Sequence, residues 1–214
     1  MGAAPQAPAA DCRLCPRLAG FRDRNRDRHP DFHNGPVPSF GPLSARLLVL
    51  GLAPGLKGAN RTGRPFTGDA AGELLYPALA RYRFATGRFG ARVDDGLELR
   101  DCRIANAVRC VPTQNKPTGA ETTTCRPFLE AEIAAMANLT VILCLGRIAH
   151  DAGLRALGQR PAHWPFGHGA VHAVPGRPIL IDSYHCSRYN VNTRRLTPAM
   201  FHDVFDLVRA RLAD

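Results

Sequence analysis

Four apolar runs recur along the chain, at Arg46–Leu52, Cys102–Val108, Thr140–Gly146 and Pro178–Tyr184. Each is short enough and apolar enough to read as a β-strand. The segments between them return apolar residues at helical spacing over Ala71–Tyr82, Glu121–Asn138, Ile148–Leu157 and Thr197–Leu212. Strands alternating with helices are the layout of an α/β domain built on a mostly parallel sheet.

The chain has 214 residues, of which 45% are hydrophobic, which is enough for one domain with a sizeable core. We expect a single domain over 11–214, preceded by a loose, Ala- and Pro-rich tail from Met1 to Ala10. No stretch approaches the roughly 18 to 20 apolar residues of a membrane span, and no signal-peptide core opens the chain. The expectation is therefore a soluble cytoplasmic protein with no membrane partner. Its 28 Lys and Arg against 18 Asp and Glu leave a formal charge of +10, which suits a polyanionic partner without proving one.

In an open parallel sheet the site lies beyond the carboxyl ends of the strands. After the first strand the chain reads Gly51-Leu52-Ala53-Pro54-Gly55, then Gly58-Ala59-Asn60, then Pro65-Phe66-Thr67-Gly68-Asp69. The second strand leads into Asn106-Ala107-Val108-Arg109-Cys110, and the fourth into Tyr184-His185-Cys186-Ser187-Arg188-Tyr189-Asn190. One such loop means little, because glycines after strands usually make turns. Three at one sheet edge predict a convergent pocket.

The seven cysteines divide by position. Cys12 and Cys15 form a C-x2-C pair, and Cys110 and Cys125 follow the second strand. Four thiolates suit zinc or a [4Fe-4S] cluster equally, and spacing does not separate the two; four buried free thiols are the bland alternative. Cys102 and Cys144 fall inside strands, where a small buried hydrophobe is expected. Cys186, in the last loop, is either reactive or merely tolerated. His163, His168 and His172 offer a rival metal reading that is weak, because Pro161, Pro165 and Gly167 make the segment a loop rather than a regular helix.

The three loop motifs, together with Cys12-Arg13-Leu14-Cys15, Asn115-Lys116-Pro117 and His185-Cys186-Ser187, resemble the uracil-DNA glycosylase superfamily and within it the type 5 branch. The likeness runs in order over almost the whole chain. Type 4 enzymes carry Glu after the first motif's glycine, and the DNA-crosslinking relatives carry Gln there with an Arg- and His-rich insertion. This chain has Leu52 and no insertion. It also carries Cys186 where the family usually has Pro, a loss of backbone restraint expected to loosen the loop.

The resemblance implies a three-layer αβα fold around a four-stranded parallel sheet, and a [4Fe-4S] cluster rather than zinc on Cys12, Cys15, Cys110 and Cys125. It implies an enzyme acting on DNA that contains uracil or other deaminated bases such as hypoxanthine and xanthine; we expect a monomer associated with the nucleoid. Asp69, Asn106 and His185 would be catalytic. Gly51, Ala53, Pro54, Gly55, Asn60 and Phe66 would join Asn106 and His185 around the base, with Phe66 stacking on it. Ser187, Arg188, Tyr189 and Asn190 would touch DNA. Each has a plainer reading: Phe66 as core, Asn106 as a turn cap, Asp69 as the N-cap of the helix that follows. The alternative function is a noncatalytic iron–sulfur module that senses DNA damage.

Overall fold

The computed structural model describes residues 5–213. In chain order the elements are α1 (Pro16–Arg28), β1 (Leu47–Gly51), α2 (Ala59–Thr62), α3 (Ala70–Arg81), β2 (Ala85–Thr86), β3 (Glu98–Leu99), β4 (Cys102–Asn106), α4 (Gly119–Ala135), β5 (Val141–Leu145), α5 (Arg147–Ala156), β6 (Val171–His172), β7 (Ile179–Ser183), α6 (Arg188–Asn192) and α7 (Pro198–Ala213). The main sheet runs β4-β1-β5-β7-β6. Its first four strands are parallel and are the four read from the apolar runs. The fifth, β6, pairs antiparallel with β7 and corrects the expected count from four to five. At two residues it is too short to leave an apolar run.

Strand side chains alternate between the faces of a sheet. Leu47 and Val49 accordingly join a core with Leu75, Leu79, Phe201 and Phe205 of α3 and α7. Leu48 and Leu50 pack with Leu129 of α4 and with Ala149, Ala152 and Leu154 of α5. Two helical layers thus enclose the sheet, and all residues of β1 and β5 are buried. Among the described residues no helix is long and apolar enough to cross a membrane.

Two features lie near the N-terminus. A basic stretch running from Arg22 to Arg28 forms most of α1, entered through Pro16 at its first turn, with Leu18, Ala19, Arg22 and Asn25 buried. That spacing is helical, but a buried arginine and asparagine stand where an apolar stripe would be sought. The tail is also less loose than expected. The Cys12 amide donates to Ala9 O at 2.9 Å, Arg26 donates to Ala10 O at 3.4 Å, and Pro8 packs beside the cysteines. Residues 1–4 of the expected tail lie outside the described residues.

Candidate active site

Parallel pairing of β1 with β4 places Gly51 directly across from Asn106. Beyond these strand ends opens a cavity of ≈660 Å³, whose wall includes Ala53, Pro54, Gly55, Phe66, Asp69, Asn106, His185, Ser187 and Arg188. Gly51 lies behind this wall. A β-carbon there would come 2.6 Å from Phe66 Cζ and would also strike Asn106 Oδ1. The bare backbone lets the aromatic ring and the amide meet at the end of the sheet.

Phe66 holds φ at +52°, a left-handed conformation that an aromatic residue enters only under restraint. The restraint comes from its neighbours. Tyr76 Oη donates to Pro65 O at 2.6 Å, and Arg64 Nε donates to Thr67 Oγ1 at 2.8 Å. Arg64 is itself buried and gripped by both carboxylate oxygens of Asp95, at 2.9 and 2.6 Å. The rings of Phe40, Tyr76 and Phe89 lie 5.2 to 5.9 Å from its guanidinium carbon. The Arg64 pair holds Asp95 far below the usual carboxylate range. No local sequence signal distinguished Arg64.

Asp69 caps α3, its Oδ1 accepting the Ala71 amide at 3.1 Å, and it also lines the cavity. The capping and cavity readings therefore coexist. His185 faces Phe66 with ring centroids 6.3 Å apart. Burial lowers the His185 pKa, with the nearby Asp69 carboxylate opposing, so the imidazole is neutral at physiological pH.

Cys12, Cys15, Cys110 and Cys125 line a separate cavity together with Leu14, Leu18, Val108 and Phe128. Two thiols before α1, one after β4 and one inside α4 converge around a small apolar cluster in which Leu18 of α1 meets Val108, Cys125 and Phe128. Arg17 of α1 binds both carboxylate oxygens of Glu121, which with Thr118 forms the capping box of α4. Arg22, almost wholly buried, points its guanidinium at Cys110 Sγ at 3.8 Å and donates to Cys12 O at 2.9 Å, while its Nε has no partner among the described residues. Burial pushes the Cys110 thiol up to about 11 against the pull of Arg22, with the neighbouring Cys125 and Cys12 adding to the rise. A buried cation aimed at clustered sulfur suits thiolates held by a cationic group, and the four-sulfur donor set fits an iron–sulfur cluster or a soft metal ion.

The family model of the uracil DNA glycosylase superfamily matches residues 38–209. The chain belongs to that superfamily. It is 44% identical over 198 residues to a type-5 uracil-DNA glycosylase of Thermus thermophilus, covering 90% of each chain. It is 41% identical to a type-5 enzyme of Mycobacterium tuberculosis, covering 91% of this chain and 75% of the relative. A third, from Pyrobaculum aerophilum, is 40% identical over 87% of this chain and 83% of its own.

Within this superfamily fold several expected site residues take other places. Asn60 is fully buried, donates to Asn34 Oδ1 at 2.9 Å and does not line the cavity, because the turn of α2 directs it inward. Asn190 supports the last loop from behind, donating through Nδ2 to His185 O at 2.8 Å and through its amide to Ser187 Oγ at 3.3 Å. Those bonds restrain the loop that Cys186 was expected to loosen. Tyr189 stands outside the cavity, 72% exposed. Cys186 is buried in the core rather than in the cavity, and burial pushes its thiol up to about 12. Cys102 and Cys144 are core residues as expected.

The cavity also holds Lys57 and Asn115, which the sequence reading had given no role. Lys57 had one visible signal, a lone cation between Gly55 and Gly58 in the glycine loop. The rival histidine site dissolves. His168 accepts the Tyr184 amide, while His172 joins His150 and Asp182 instead of His163. His150 Nε2 donates to Trp164 O at 2.8 Å and its Nδ1 lies 2.8 Å from Asp182. A carbonyl only accepts, so His150 Nε2 carries a proton. Burial pulls the His150 pKa down, and the hydrogen bond and charge of Asp182, with the Trp164 carbonyl adding, raise it overall. The cluster is a hydrogen-bonded staple between α5, β6 and β7, and its donor atoms are already engaged.

Proposed function

We propose that this chain is a DNA glycosylase that extrudes uracil, and with it hypoxanthine and xanthine, from DNA and hydrolyses the base–sugar bond to leave an abasic site. The observation that carries the reading is the meeting of Phe66, Asn106, Asp69 and His185 around one cavity at the carboxyl edge of the sheet. A base stacked in duplex hides its glycosidic bond, so it has to enter such a cavity for reaction. Phe66 offers a face for the base, and the Asn106 amide offers donors and an acceptor for its edge.

As the bond from C1′ to the base nitrogen breaks, its electron pair leaves with the base and positive charge builds on the sugar. Asp69, which lines the cavity, stabilises that charge and orients the water whose oxygen bonds to C1′. Neutral His185 donates an N–H bond to the base oxygen where negative charge gathers. Neutrality suits the role, because a donor needs no full charge in a cavity that already holds Asp69. The breadth of ≈660 Å³ supports acceptance of purine bases as well as uracil. Ser187 and Arg188, at the rim, suit the flanking phosphates.

Cys12, Cys15, Cys110 and Cys125 would hold a [4Fe-4S] cluster in this reading. The cluster would supply cross-linking rather than catalysis, since glycosidic hydrolysis transfers no electrons. The residues around it tie the N-terminal segment to the loop after β4 and to α4.

Single-turnover incubation with labelled oligonucleotides containing uracil, hypoxanthine or xanthine, followed by alkali, tests the function. Cleavage at the lesion is expected. Tight binding with no abasic site on any of the three would favour the noncatalytic damage-binding module.

A further inference from the structure

A second groove, of ≈440 Å³, opens beside the active-site cavity between the N-terminal half of α4 and α5. The two share the end of β4. Asn106 lines the cavity and Ala107 the groove, and in the next loop Asn115 lines the cavity and Lys116 the groove. A chain leaving the cavity on this side meets the groove at once. Three cations line it, Lys116, Arg126 and Arg155, against one carboxylate, Asp151. Asp151 is 4.0 Å from Arg155 and 4.0 Å from Arg147, an exposed residue next to the groove.

Several basic residues elsewhere serve the fold. Arg17, Arg46, Arg64, Arg103 and Arg109 are each paired with a carboxylate. Lys116 and Arg126 have no ion-pair partner among the described residues, although Lys116 is exposed and Arg126 half-buried. Their charge is free for a ligand, and the hydroxyl of exposed Thr123 on the same wall adds a donor.

We propose that this groove binds phosphates of the damaged DNA strand on one side of the extruded nucleotide, with Lys116, Arg126 and Arg155 as the contacts. The inference rests on the glycosylase reading and adds to it a strand path beyond the cavity. Phosphates repeat along a single strand, so a row of cations leading away from the cavity engages successive ones. Such contacts raise affinity on any sequence and make it salt-dependent.

The test uses oligonucleotides with one uracil, lengthened by a few nucleotides on the 5′ side only or on the 3′ side only. Binding is read by fluorescence anisotropy across a salt series and uracil release by single turnover. For the wild-type protein, extension on one side should tighten binding and extension on the other should not. The triple variant Lys116→Ala, Arg126→Ala, Arg155→Ala should lose that gain, and its slope of log affinity against log salt should fall by about 2 to 3, at roughly 0.7 to 0.9 per phosphate contact. Arg126→Lys with Arg155→Lys should keep both.

If the triple variant fails to fold, the exposed positions Lys116→Ala and Arg155→Ala, taken singly, should each lower the slope by about 0.7 to 0.9. A length gain and a slope equal to wild type would overturn the groove assignment. Absence of uracil release from the wild-type protein would overturn the glycosylase reading instead, while anisotropy would still judge the groove.

Discussion

The carboxylate of Asp69 lies against the bare α-carbon of Gly58: a β-carbon there would come 2.8 Å from Asp69 Cγ and 3.1 Å from its Cβ. A side chain at Gly58 has no room on this face. Gly58→Ala is expected to push Asp69 out of position and lower single-turnover uracil release by about tenfold or more, as small misplacements at reacting centres do. Unchanged release in a folded variant would show that Asp69 need not sit where it does.

Asp69→Asn separates the cap from the chemistry. Asparagine caps helices as well as aspartate, so the melting temperature should hold. Uracil release should fall about a hundredfold, the scale of losing one preorganised electrostatic group. Wild-type release would leave Asp69 as a cap only and move the burden to Asn106 and His185.

The lowered pKa of His185 sets a pH dependence. In the unfolded chain the imidazole protonates near its ordinary value of about 6.5, and in the fold it does so only at lower pH. Stability linked to this group is therefore full above about 6.5 and declines as pH falls below it. Uracil release through the neutral imidazole should likewise stay level from about pH 8 to about 6.5 and drop only on the acid side. A rate that rises as pH falls through 6.5 would mean that the imidazolium is the active form. The measurement is a single-turnover pH profile of wild type beside His185→Gln.

Purified protein should be brown and contain iron. Serine at any one of Cys12, Cys15, Cys110 or Cys125 should cost iron, visible absorption and stability together. Cys102→Ala and Cys144→Ala should keep the iron, because both thiols lie in the core of the sheet. Colourless protein carrying stoichiometric zinc would replace the cluster with a single ion.

Much of the architecture was legible in the sequence because its causes are local. Leu47 to Leu50 read as a strand since every second side chain meets the same helical layer, and the glycine-rich loop after Gly51 marked the edge where the cavity opens. Asp69 was readable as a cap from its position ahead of Ala70, and as a cavity residue through the family resemblance. The tertiary structure decided what depends on partners distant in the chain. Arg64 finds Asp95 31 residues on and so holds Phe66 in its left-handed turn, and Arg22 reaches Cys110 88 residues away. Asn60 turns inward to Asn34, 26 residues before it, and the basic stretch becomes α1 only by packing its buried face. Periodicity reports which face a residue shares with its neighbours, whereas these contacts exist only once separate segments are brought together and water is excluded between them.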